Sequence, residues 1–126
     1  MDNCFCGSGI SFDRCCQPIV VGKQKATTAE ALMRSRYVAY VLKEAEYLIA
    51  TTAPSHKALY SKKDILDWAS QNHWQRLEIT NVTPTTVTFK AYFLDADNQS
   101  HIHHEHSRFV FENGAWLYVD GDYFDN

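Results

Sequence analysis

Beyond Cys16 the chain contains no cysteine, and its four cysteines all lie between positions 4 and 16. That distribution excludes a disulfide framework for the remaining hundred-odd residues and confines any thiol chemistry to one short stretch. Proline and glycine are scarce, at three and five in 126 residues, which excludes collagen-like and low-complexity architectures. No apolar run approaches the roughly 20 residues needed to cross a bilayer. Neither end carries a lipidation signal, and Met1-Asp2-Asn3 is acidic with no apolar stretch after it, unlike a signal peptide. A soluble, cytoplasmic protein with no membrane association is expected. Positive charge is also in deficit, with 12 Lys and Arg against 15 Asp and Glu and a net charge of -3. Nucleic acid is therefore not expected as the main partner, because phosphate-backbone binding needs a concentrated basic face. The chain does have 45% hydrophobic and 13% aromatic residues, enough for one core and a small appendage.

The cysteines form the pattern Cys4-Phe-Cys6, then eight residues, then Cys15-Cys16. Four thiolates drawn from two ends of one loop can complete the closed tetrahedral shell of a structural zinc, with no position left for a catalytic water. Gly7 and Gly9 permit the tight turns that bring the two ends together, and Ser8 adds a hydroxyl donor. Two other readings are free buried thiols, which seldom cluster so densely, and disulfides, which need an oxidising compartment. The order Cys-x-Cys-Gly-Ser-Gly, an aromatic at Phe12 and a closing Cys-Cys resembles the SEC-C motif, the zinc-binding tail of the SecA translocation ATPase. That resemblance implies zinc bound by Cys4, Cys6, Cys15 and Cys16. It also implies a knuckle that presents Ile10, Phe12 and Arg14 to a protein partner.

Past the knuckle, Thr27-Thr-Ala-Glu30 reads as a capping box that starts a helix at about Thr28. Apolar residues at three- and four-residue steps, from Ala29 through Leu48, predict one core-facing helix running toward Pro54, with Arg36 inside its stripe. A short helical turn is expected from Ser55 to Tyr60. Ser61 then caps a second helix carrying Ile65, Leu66, Trp68 and Ala69 to about His73.

After Trp74 the periodicity becomes two, predicting strands over Gln75–Val82, Thr86–Leu94, Ser100–Glu112 and Ala115–Gly121. Asn113-Gly114 is a preferred pair for a two-residue hairpin. An unbroken register from it pairs Phe109 with Tyr118, Ser107 with Asp120 and Glu105 with Asp122, all on one face. Val110, Leu117, Val119, Arg108, His104 and His106 fall on the other, a candidate homodimer surface.

Helices followed by an antiparallel sheet predict an α+β fold. The segments Leu32-Met-Arg-Ser-Arg-Tyr37-Val-Ala-Tyr40, Tyr47-Leu48, Glu105-His-Ser-Arg-Phe109 and Asn113-Gly-Ala-Trp116-Leu-Tyr118-Val-Asp120-Gly121, with the cysteines, resemble the YchJ family. The resemblance implies a SEC-C knuckle over residues 1–22 and a nuclear transport factor 2-like cone over 23–126, helices packed on a curved four-stranded sheet. Many members carry a second SEC-C motif after the sheet; this sequence reaches Asn126 without one, so no role that needs two knuckles is expected.

Arg36 on a buried helix face requires a partner, and Glu105 is the expected one. Two readings of this group stand side by side. In the first it is a structural ion pair. In the second, Arg36, Tyr37, Tyr40, Glu105, Ser107 and Asp120 line a pocket in which an arginine holds a small molecule and a carboxylate moves a proton, and the resemblance to nuclear transport factor 2-like cones implies isomerase, dehydratase or hydrolase-like chemistry there. His101 and His103 share one strand face and His104 and His106 the other, so each pair resembles half of a metal site without a complete ligand set. The function expected is a zinc-binding protein-interaction module, with a ligand-binding or enzymatic cone as the alternative.

Overall fold

The computed structural model describes residues 3–59 and 61–124. In the knuckle a 3-10 turn at Phe12–Arg14 leads into a one-turn helix α1 (Gln17–Val20). Helix α2 (Ala29–Leu42) is capped by Thr28, whose side chain accepts from the Ala31 N–H at 3.0 Å, one residue later than the Thr27 cap expected. The predicted single helix is also broken. Lys43 takes a left-handed conformation (φ 62), its N–H and that of Glu44 close on the carbonyls of Tyr40 and Ala39, and a separate helix α3 (Ala45–Ala50) starts. Neither glycine nor asparagine announces this C-cap, so the periodic pattern runs straight through it.

A 3-10 turn at Lys57–Leu59 occupies the predicted helical turn, whose end at Tyr60 lies outside the described residues. Ser61 caps α4 (Lys62–Gln71) as expected, accepting from the Asp64 N–H at 3.0 Å. Among the described residues, no helix is long and apolar enough to cross a membrane.

Strands β1 (His73–Val82), β2 (Thr86–Leu94), β3 (Ser100–Glu112) and β4 (Ala115–Phe124) form one antiparallel sheet in sequence order. Register shifts at two places in β1 and one in β4 bend it, as bulges do. The β4 shift corrects the expected register. Phe109 pairs with Tyr118 as predicted, but Arg108 then pairs with Asp120, leaving Val119 as the extra residue. Beyond it Ser107 faces Gly121 and Glu105 faces Tyr123, so Asp120 and Asp122 turn to the outer face. Residues 51–53 run along β4 at the bulge: Tyr118 N–H donates to the Thr51 carbonyl at 2.7 Å, and Ala53 N–H to the Tyr118 carbonyl at 2.8 Å.

The core joins α2 to the inner sheet face through Leu32, Met33, Tyr37, Val38, Leu77, Val87, Phe89, Phe109 and Tyr118. Cys4, Cys6 and Cys16 belong to the same apolar cluster. Arg34 strengthens that junction, donating to the Cys6 carbonyl at 2.7 Å and to Glu30 at 2.9 Å. The knuckle and the cone thus share one interior.

Candidate functional site

The tight turn that places the thiols uses left-handed backbone at Gly7 and Gly9 (φ 81 and 83) and a bond from the Cys4 N–H to the Ile10 carbonyl at 2.8 Å. The four Sγ atoms all lie within 4.8 Å of one another. Cys6 and Cys15 are 3.6 Å apart and Cys15 and Cys16 3.9 Å apart. A tetrahedron of sulfurs around a metal at about 2.3 Å has edges of about 3.8 Å, so this donor set fits a four-thiolate centre. The hydrogen bond with Cys16 draws Cys6 down to about 4, whereas burial pushes Cys4 up to about 11. Ser8 Oγ lies 3.2 Å from the Cys15 sulfur. Among the described residues this is the one cluster of three or more such ligand groups.

Ile10 and Arg14 are exposed on the knuckle, but Phe12 is half-buried and packs against the core and edge-on to Phe5. Phe5 is half exposed and passed unnoticed in the sequence, because it sits between two cysteines where no periodicity marks it.

The cone holds a cavity of about 350 Å³ lined by Met33, Arg36, Tyr37, Tyr40, Trp68, Trp74, Phe89, Ala91, His103, Glu105, Ser107, Tyr118 and Tyr123. Five of the six residues expected to line a pocket are present. The sixth, Asp120, is on the opposite face, where Arg108 Nε donates to it at 2.6 Å and Arg108 Nη1 to Asp122 at 2.8 Å. The bulge is the physical reason, since one extra residue inverts every side chain beyond it.

The expected Arg36–Glu105 ion pair is also corrected: no salt bridge joins them among the described residues. Arg36 Nη1 instead donates to the Leu48 carbonyl at 2.9 Å and Thr51 Oγ1 at 2.6 Å. Its guanidinium lies 4.7 Å from the centre of the Tyr118 ring, within cation–π range. Glu105 accepts at Oε2 from Ser107 Oγ (2.6 Å) and Tyr118 Oη (2.8 Å), and its Oε1 lies 2.8 Å from His103 Nε2. Tyr118 therefore stands between the two charges, ring face to one and hydroxyl to the other. Burial pushes the Glu105 carboxyl up, but hydrogen bonds from His103, Ser107 and Tyr118 outweigh it and hold it below its ordinary 4.5.

Gly121 makes room for this carboxylate. A Cβ built there would lie 2.2 Å from Glu105 Oε2. The four β3 histidines are engaged one by one: His101 with Asp95, His103 with Glu105, His106 with Thr88, and His104 against the Phe124 ring.

Much of the cavity wall escaped the sequence reading. Trp74 contacts Tyr37, Tyr40, Trp68 and Phe93, but lies at the junction of α4 and β1 where neither periodicity claims it. The alternation Val87, Phe89, Ala91, Phe93 in β2 was a usable signal for the inner face.

The family model described as YchJ, middle NTF2-like domain, matches residues 28–121, and the SEC-C motif matches residues 2–18. The chain belongs to the YchJ family. It is 40% identical to a UPF0225 protein of Actinobacillus succinogenes over 123 residues, covering 93% of this chain and 79% of that one. It is 38% identical to a UPF0225 protein of Vibrio cholerae over 127 residues, covering 96% and 83%. The solution structure of a SEC-C motif containing protein from Rhodopseudomonas palustris superposes with a TM-score of 0.89 at 34% identity, covering 98% of this chain and all of that one. A crystal structure of a SEC-C motif containing protein from Psychrobacter arcticus gives 0.76 at 32% identity, covering 95% and 76%. An N-terminal SEC-C cysteine cluster followed by a nuclear transport factor 2-like domain is therefore the architecture of this YchJ-family protein.

Proposed function

We propose that this YchJ-family protein is a small-molecule-binding protein whose ligand occupies the cone, and that Cys4, Cys6, Cys15 and Cys16 hold a structural zinc that braces the helix over it. The observation that carries this reading is the cavity itself, whose wall combines seven aromatic side chains with a buried arginine and a buried glutamate. Its size and its mixture of apolar wall and few polar groups are those of ligand sites. Trp74 supports it: the buried Nε1–H of this wall residue has no acceptor among the described residues. An orphaned donor costs about 1–3 kcal/mol, more than a wall selected for packing alone would carry.

Zinc is the metal suited to four thiolates in a closed shell, and reduced thiols suit the cytoplasm. A second reading, docking of a protein partner on the knuckle, is favoured by the exposure of Phe5 (50%), Ile10 (49%) and Arg14 within the same short knuckle. The test of the first reading is a titration with indole, a planar apolar probe, followed by amide NMR shifts. Shifts confined to residues around the cavity, abolished by Ala91→Phe in a protein that still melts cooperatively, are expected. Shifts scattered over the surface, or unchanged by the filled cavity, would overturn it.

A further inference from the structure

We propose that His103 is a base facing the cavity, positioned by Glu105 to take a proton from the hydroxyl of a planar phenol- or enol-type ligand. The inference rests on the ligand-binding reading above and assigns the chemistry of that site.

The hydrogen-bond network determines which histidine nitrogen is available. Glu105 is buried, and both donors to its Oε2, the Ser107 and Tyr118 hydroxyls, bring their own hydrogens. An ionised carboxylate only accepts, so the hydrogen in the 2.8 Å contact between Oε1 and His103 Nε2 must be on the imidazole. In the neutral ring the lone pair is then on Nδ1. That atom has no hydrogen-bond partner among the described residues, although the ring forms part of the cavity wall. A carboxylate that holds one imidazole nitrogen protonated and leaves the other its lone pair is the arrangement that selects and orients an imidazole base.

The same network narrows the ligand. Glu105 has three donors of its own, so no ligand ammonium is needed to balance it, and its negative charge in the cavity opposes a carboxylate or phosphate ligand. Arg36 is occupied by the Leu48 carbonyl, Thr51 and the Tyr118 ring. The lone pair on Nδ1 can accept from a neutral donor, and the aromatic walls provide stacking faces for a flat ring. In the step itself the ligand O–H bond breaks. Its electron pair stays on the ligand oxygen, and the proton moves to Nδ1, giving an imidazolium beside the Glu105 carboxylate. No oxidant, reductant or second substrate enters.

The probe is 4-nitrophenol, whose ionised form absorbs at longer wavelength than the neutral one. At a pH where free 4-nitrophenol is mostly neutral, the wild-type protein is expected to bind it with a red-shifted, phenolate-like band. His103→Phe keeps an aromatic ring and is expected to lose that band and bind about fivefold more weakly, the worth of about one hydrogen bond. Glu105→Gln is expected to weaken the band without abolishing binding, and long-range proton–nitrogen NMR of the wild type should show an unprotonated Nδ1. Indole, which needs no base, should still bind His103→Phe. A band that persists in His103→Phe, or 4-nitrophenol that binds unshifted or not at all while indole binds, overturns the assignment and leaves the cavity reading standing. If neither probe binds the wild type, the cavity reading falls and this one with it.

Discussion

Replacing Gly121 by alanine tests the Glu105 network by the sign of its effect. In a strand, alanine ordinarily stabilises relative to glycine by about 0.4–1 kcal/mol, because the unfolded chain loses freedom. The backbone at 121 is not left-handed, so conformation raises no objection to a side chain there. Space does. The new Cβ would lie 2.2 Å from Glu105 Oε2, 2.7 Å from Cδ and 2.8 Å from Cγ. Contacts of about 3.5 Å are comfortable, so the carboxylate must retreat by roughly 1 Å. Its Oε2 accepts bonds of 2.6 Å from Ser107 and 2.8 Å from Tyr118, and a retreat of that size stretches both beyond hydrogen-bonding range. Bonds to a charged group contribute about 1.5–3 kcal/mol each, so after partial relaxation and the backbone gain Gly121→Ala should destabilise by about 2–4 kcal/mol. In a Glu105→Ala background the obstruction is gone, and the same change should be neutral or slightly stabilising. Urea denaturation of the four proteins of this double-mutant cycle measures the coupling. A neutral Gly121→Ala in the wild type, or an equal loss in both backgrounds, would refute the placement of the carboxylate against Gly121.

Protein purified without added metal should carry about one zinc per chain. Chelation should lower the melting point of the whole molecule and not of the knuckle alone, because Cys4, Cys6 and Cys16 share a core with Leu32 and Leu77. Metal analysis with thermal denaturation checks this, and a metal-free chain with unchanged melting and an ordered N-terminal segment would overturn it. Glu105 predicts a particular acid limb. Its carboxyl is held below its ordinary 4.5 in the folded state, so the stability it contributes is fully present above about that value and is lost as the pH falls through the lower folded value. Glu105→Gln should flatten stability against pH below about 4.5 and leave its slope above unchanged, and denaturation at stepped pH would show an identical acid limb if the reasoning is wrong.

What could be read from the sequence was what short-range chemistry determines. The four thiols share one short stretch of chain, so their spacing alone brings them together; the Ser61 cap and the bounds of β2 and β3 likewise depend on neighbours within a few positions. Arg36, Tyr37, Tyr40, Glu105 and Ser107 were legible as one group because helix and strand periodicities place each on a buried face. Only the tertiary structure decided the rest. The bulge at Val119 has no local signature; it is accommodated where residues 51–53 bond to both sides of Tyr118, a contact between segments far apart in the chain. That single extra residue removed Asp120 from the cavity, put Gly121 opposite Ser107, and gave Glu105 room among His103, Ser107 and Tyr118. The separation of Arg36 from Glu105 has the same origin: burial demanded a partner for each charge, but which partner depended on where α3 and Tyr118 came to rest.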